Sequence, residues 1–141
     1  MPSLLDPNNP KHARAQERLR ADLIAWLTTV SPEGRPQSTP VWFQWDGDAF
    51  LVYSRPRAAK LRNVAANPNV SLHLEGNRVG GDNVIFEGVA AHLPGAPPAD
   101  RMAGYMEKYG PRIEQYGWTP ASFAADYAEA IRITPTRARI W

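Results

Sequence analysis

Asp46-Gly47 falls between two apolar runs, "PQSTPVWFQW" and "AFLVYS". An Asp-Gly pair in that setting is the strongest short-range signal for a β-hairpin, so residues 37–45 and 49–54 are expected to pair antiparallel. The first run alternates: Gln37, Thr39, Val41, Phe43 and Trp45 take one face, while Ser38, Pro40, Trp42 and Gln44 take the other. Upstream, "LIAWLTTV" (23–30) is an apolar, β-branched run that stops at the turn "SPEGRP", so three strands are expected in a meander. Fourteen prolines spread along the chain favour turns and strand ends and exclude a helix bundle.

The remaining segments extend this pattern. "KHARAQERLRADL" has amphipathic helical spacing, with Ala13, Gln16, Leu19, Arg20 and Leu23 on one stripe. "RPRAAKLRNVAANP" is expected to be a helix capped near Ser54 or Arg55, with Pro56 in its first turn and Leu61, Val64 and Ala65 facing inward. "NVSLHLEG" and "NVIFEGVAAHL" are strands around the turn "NRVGGD", and Gly88 marks a bulge. Residues 94–128 look like short helical pieces broken by Gly and Pro. "EAIRITPTRARIW" looks like two strand segments around Thr134-Pro135-Thr136. The sum is an all-β chain with short helices, six or seven antiparallel strands closing as a barrel.

At 141 residues the chain is expected to form one domain over 1–141. The absence of cysteine excludes disulfides, thiol catalysis and cysteine-ligated metal. His12, His73 and His92 are dispersed, so no metal site is expected. With no leader pattern in "MPSLLDPNNP" and no long apolar run, the expected location is cytoplasmic, away from membranes. A net charge of +2 without a basic stripe argues against nucleic acid. No nucleophile elbow, zinc-protease motif or P-loop is present.

The most informative cluster is "YSRPRAAKLRNVAANP", where Arg55, Arg57, Lys60 and Arg62 crowd the strand-to-helix junction. A helix N-terminus attracts anions, and cations there oppose the helix dipole, so helix stability alone does not account for them. A bound phosphate or carboxylate does. Arg57, Lys60 and Asn63 recur at i, i+3, i+6 and are expected to share a polar face, with the Ser54 hydroxyl as a further donor. The competing reading is a solvated charged surface.

The order "AWLTTVSPEGRPQSTPVWFQW", "DGD", "AFLVYS", "RPRAAKLRNVAANPNVSL", "VIFEGVAAH" resembles the pyridoxamine 5'-phosphate oxidase-like split β-barrel superfamily. It is most similar to the deazaflavin-dependent class-B flavin/deazaflavin oxidoreductase branch. The resemblance spans residues 22–93 and the terminal "RITPTRARIW". It implies an FMN-binding-like split barrel forming a homodimer, with a cofactor at each interface site. The cofactor would be coenzyme F420, or alternatively FMN. It places the cofactor phosphate beside Ser54, Arg55, Lys60 and Asn63, and the ring along Gln37, Ser38, Thr39, Pro40 and Val41. Pro40, lacking an N–H, suits a backbone that a flat ring approaches. Residues 76–82 and 139–141 are candidates for completing the partner's site.

The expected activity is hydride transfer between reduced F420 and a small unsaturated or electrophilic organic substrate. FMN-dependent oxidoreduction and non-catalytic cofactor binding are the alternatives. The cofactor carries such chemistry, so no catalytic residue is assigned. Tyr53, Tyr105, Tyr109 and solvent all remain open as proton donors. Trp42 shares its strand with the ring-facing residues and is the tryptophan expected nearest the site.

Overall fold

The computed structural model describes residues 4–141. Met1 to Ser3, the start of the stretch read for a leader, lie outside the described residues. In chain order the elements are α1 (Pro10–Ala21), β1 (Ala25–Val30), β2 (Pro36–Val41), β3 (Gln44–Trp45), β4 (Phe50–Ser54) and α2 (Ala59–Ala66). There follow β5 (Asn69–Leu74), β6 (Val84–Leu93), a 3-10 turn (Ala99–Arg101), α3 (Ala103–Gln115), α4 (Pro120–Asp126) and β7 (Glu129–Ile140). All strands join one seven-stranded sheet in the order β2-β1-β5-β6-β7-β4-β3. Every pairing is antiparallel, giving the expected split barrel with short helices.

The inner face carries Leu27, Phe43, Phe50, Val52, Leu72, Phe86, Ile131 and Ile133, all buried. Along β1 burial alternates, as one apolar face per strand requires. Leu19 and Ala15 dock α1 on this core, and Tyr105, Tyr109, Ile113 and Phe123 from α3 and α4 build a second, aromatic cluster around Tyr53.

Several expectations change. Residues 37–45 do not form one strand paired with 49–54. β2 pairs instead with β1, and only Gln44 and Trp45 pair with β4, opposite Leu51 and Phe50. The ladder breaks where the Tyr109 hydroxyl engages Phe43, accepting from its N–H at 2.8 Å and sharing its single proton between the Phe43 carbonyl at 2.9 Å and the Leu23 carbonyl at 2.8 Å. The other side of β4 pairs with β7, so no meander of three consecutive strands forms.

The basic helix begins at Ala59, not at Ser54 or Arg55. Pro56 disfavours helical backbone at the preceding Arg55, and residues 55–58 form a turn with Ala58 N–H bonded to the Arg55 carbonyl at 3.2 Å. On α2 the buried residues are Asn63 and Val64, while Ala65 is exposed. Residues 94–128 are less fragmented than expected, since α3 runs through Gly110 and Pro111.

β7 is likewise one continuous strand. Pro135 faces Gly88 beside the register slip: Glu87 pairs with Arg137 and Gly88 with Pro135, so the extra residue, Thr136, lies on β7 and proline sits next to a bulge, where it is tolerated. The glycine expected to mark a bulge therefore does so.

Candidate functional site

A cavity of about 460 Å3 opens between the end of β2, the β4–α2 junction and the α3–α4 layer. Its polar side is formed by Ser54, Arg55 and Lys60, and its apolar walls by Pro40, Val41, Trp42, Tyr105, Phe123 and Tyr127. That volume and mixture are those of a small-molecule site.

The polar side follows from the turn before α2. Arg55 leaves the end of β4 with its guanidinium 5.1 Å from the centre of the Tyr127 ring. Lys60 sits on the first turn of α2, half-buried, and burial lowers its pKa from the ordinary lysine value. Among the described residues no ion pair involves Arg55, Arg57, Lys60 or Arg62, whereas Arg14 and Arg18 both pair with Asp82. A shallow hollow lined by Arg55, Pro56, Arg57 and Asp126 shares Arg55 with the cavity. Unpaired cations, one of them desolvated, at the mouth of a cavity attract an anionic group.

The expected site residues divide. Pro40, Val41, Ser54, Arg55 and Lys60 line the cavity. Ser54 is 1% exposed, and its hydroxyl donates to the Arg55 carbonyl at 3.0 Å, fixing the turn. Gln37, Ser38 and Thr39 lie outside the cavity, exposed along β2, an edge strand of the sheet. Pro40 stands on that edge opposite Trp26. Asn63 does not share a solvent-facing side with Lys60. It is 2% exposed, and its amide donates to Thr29 Oγ1 at 2.9 Å and Gln37 Oε1 at 2.8 Å, tying α2 to β1 and β2. A helix turning 100° per residue puts i+3 only roughly beneath i, and here the offset carries Asn63 inside.

Residues 76–82 lead into Asn83, which pairs with Trp141 of the terminal segment 139–141. Asn83 N–H donates to the Trp141 carbonyl at 2.7 Å, and Asp82 receives Arg14 at 2.8 Å.

Of the aromatic wall, sequence reasoning placed Trp42 nearest the site and kept Tyr53 and Tyr105 as candidates, and missed Tyr116, Trp118, Phe123 and Tyr127. Trp42, leaving the ladder after β2, stacks on Tyr109 at 4.6 Å and 7° and on Phe123 at 5.4 Å. Tyr116 and Trp118, beyond the end of α3, line the cavity while remaining substantially exposed. The available signal was spacing: Tyr105, Tyr109 and Ile113, and separately Phe123 and Tyr127, recur every four residues, one face of each helix.

Lys108 locks this layer down. Its ammonium donates to the Phe43 carbonyl at 3.0 Å and lies 3.7 Å from the centre of the Phe43 ring. Burial pushes its pKa down to about 8, with Asp22 pulling the other way.

A family model for pyridoxamine 5'-phosphate oxidase matches residues 12–141. The chain belongs to this family. An F420 reductase structure is 25% identical, with a TM-score of 0.65, and the match covers 88% of this chain and 94% of that one. A putative pyridoxamine 5'-phosphate oxidase from Listeria innocua is 20% identical, with a TM-score of 0.67, covering 91% of this chain and 95% of its own. HutZ, a heme storage protein from Vibrio cholerae, is 18% identical with a TM-score of 0.64, covering 90% of this chain and 92% of its own. These last two are similar in fold. No curated protein sequence matches the chain. Among the described residues no helix is long and apolar enough to cross a membrane.

Proposed function

We propose that the chain is an oxidoreductase that transfers a hydride between reduced coenzyme F420 and a small unsaturated or electrophilic organic substrate. The observation that carries this reading is that Arg55 and Lys60, neither of them in an ion pair among the described residues, line an aromatic-walled cavity of about 460 Å3. A planar ligand with an anionic tail satisfies both halves. The residues present fit such a cofactor: Arg55 offers a forked donor to phosphate oxygens, Lys60 a compact charge, and Pro40 and Val41 an apolar strand end beside a flat ring.

A bound deazaflavin or flavin supplies the hydride. The chain holds the ring, balances the charge of the tail and excludes water from the reacting face. Arg57, in the adjoining hollow, extends the positive surface for a longer anionic tail. The exposed row Gln37, Ser38 and Thr39 supports a homodimer in which the β2 edge of each protomer faces the cofactor, since an edge strand with accessible polar side chains is open to a second surface. The F420 reductase among the similar structures adds to this reading.

FMN is the second reading, because its phosphate and tricyclic ring ask for the same cation pair and aromatic walls. Titration of the purified protein with F420 and FMN, followed by absorbance and tryptophan fluorescence, separates them. Tight F420 binding with oxidation of reduced F420 by an activated alkene is the expected outcome. FMN binding alone moves the assignment to the flavin, cofactor binding without turnover to any of a panel of alkenes moves it to a non-catalytic carrier, and binding of neither cofactor overturns the reading.

A further inference from the structure

Among the large apolar side chains that stay exposed, two stand together: Tyr116 at 59% and Trp118 at 41%, with ring centres 5.1 Å apart. Both line the cavity. Their backbone is fixed from both sides. Gly117, with φ at +76°, ends α3 in the left-handed conformation; its N–H donates to the Glu114 carbonyl at 2.9 Å, and the Trp118 N–H donates to the Ile113 carbonyl at 3.0 Å. One residue on, Thr119 opens α4 with a reciprocal cap: its N–H donates to Ser122 Oγ and the Ser122 N–H to Thr119 Oγ1, both at 3.0 Å. A connection closed at both ends holds the two rings out as a rigid shelf. Leaving them in water forgoes burial that the rest of the fold does not supply, which marks the shelf as a contact surface.

We infer that Tyr116 and Trp118 form an outer subsite for a second aromatic ring of the reactant, and that Trp118 sets a preference for flat molecules extending beyond the cavity. The inference deepens the reading above and rests on it. Volume is the first argument. About 460 Å3 lies towards the lower end of the range that encloses one drug-sized ligand, so a three-ring cofactor leaves too little room to enclose a reactant lying against it. The reactant must therefore reach the mouth. Position is the second argument: the anion anchors Arg55 and Lys60 belong to the β4–α2 junction, whereas the shelf belongs to the α3–α4 connection, so what meets the shelf is not the charged tail.

Continuity is the third. Trp118 lies 6.5 Å from Trp42 and 6.4 Å from Phe123, ring centre to ring centre, so the aromatic surface runs from the inner wall out to the shelf. A ring resting there stacks on faces already held in place by the two caps, and little of the stacking energy is offset by ordering the protein.

The test pairs two activated alkenes that share a reacting group: cinnamonitrile, with one ring, and 3-(biphenyl-4-yl)acrylonitrile, with two. With the oxidised cofactor bound no hydride can move, so equilibrium dialysis against the full-length protein reads affinity alone. Trp118→Ala is expected to weaken the two-ring probe about three- to tenfold more than the one-ring probe, the range of one aromatic stack. Trp118→Phe is expected to restore most of that selectivity. Val89→Ala, which removes a comparably exposed side chain on β6, is expected to leave it as in the wild type. Equal effects of Trp118→Ala on both probes, no effect on either, or no recovery with Trp118→Phe each overturns the inference. So does a change in sedimentation of Trp118→Ala, since the rings would then be a contact between copies of the chain. Cofactor titration reads the underlying proposal separately. If a cofactor binds and the two probes respond alike to Trp118→Ala, only the subsite is lost. If neither F420 nor FMN binds, yet the free protein shows the Trp118-dependent selectivity, only the redox reading is lost.

Discussion

The side-chain amide of Asn63 donates to Gln37 Oε1 at 2.8 Å, joining the helix that carries Lys60 to the exposed strand β2. The second amide hydrogen bond goes to Thr29 Oγ1, which is itself 2% exposed. Asn63 is therefore a positioning residue that sets where α2 sits relative to β1 and β2. Asn63→Ala leaves a buried Thr29 hydroxyl without its donor and should lower stability by about 1–3 kcal/mol. Urea denaturation checks this; an unchanged midpoint would show that the helix is held by packing alone.

Lys60 contrasts with it. With no carboxylate partner and a desolvated ammonium, it contributes little to folding. Lys60→Ala should weaken cofactor binding by about 1.5–3 kcal/mol, the range for a hydrogen bond to a charged group, with stability unchanged or slightly raised. Because its pKa is lowered, Lys60 loses its charge at a lower pH than an ordinary lysine, so cofactor affinity should decline on the alkaline side before free lysines titrate. Affinity measured across pH in the wild type and in Lys60→Ala should show that decline only in the wild type.

Lys108 produces a stability effect of defined sign. Its folded-state pKa of about 8 lies below the ordinary 10.5. Below about pH 8 the amine is protonated in both states. Between about 8 and 10.5 the unfolded chain holds a proton that the folded chain does not, so this group makes stability rise with pH across that window. The difference in urea midpoint between wild type and Lys108→Met should shift in favour of the wild type over that range. A constant difference would mean that the amine stays charged against the Phe43 carbonyl.

Gly88 tests the bulge. A Cβ there would lie 2.8 Å from the Thr134 carbonyl oxygen and 3.3 Å from Pro135 Cα, both backbone atoms that a side-chain rotation cannot move. Gly88→Ala should therefore destabilise by about 1–3 kcal/mol, as overpacking does. Thermal unfolding provides the measurement, and a melting point equal to that of the wild type would mean the β6–β7 slip can widen freely.

Local chemistry made much of the architecture legible. A β-branched apolar run announced β1, alternation announced β5, Asp46-Gly47 announced a turn, across which Trp45 faces Phe50 in the structure, and Gly88 announced the bulge. These signals are carried by neighbours in sequence, through turn geometry and the two-residue period of a strand.

What local sequence did not contain was decided across the fold. Whether residues 37–45 stay in one ladder depended on Tyr109, 66 positions from Phe43, claiming both of its backbone groups. Whether Asn63 faced a ligand or the interior depended on Thr29 and Gln37 arriving beside it. The aromatic wall exists only because α3 and α4 fold back over β4. Periodicity fixes which way a side chain points along its own element; the partner it meets is set by packing between elements distant in the chain, and that pairing is the property of the folded molecule alone.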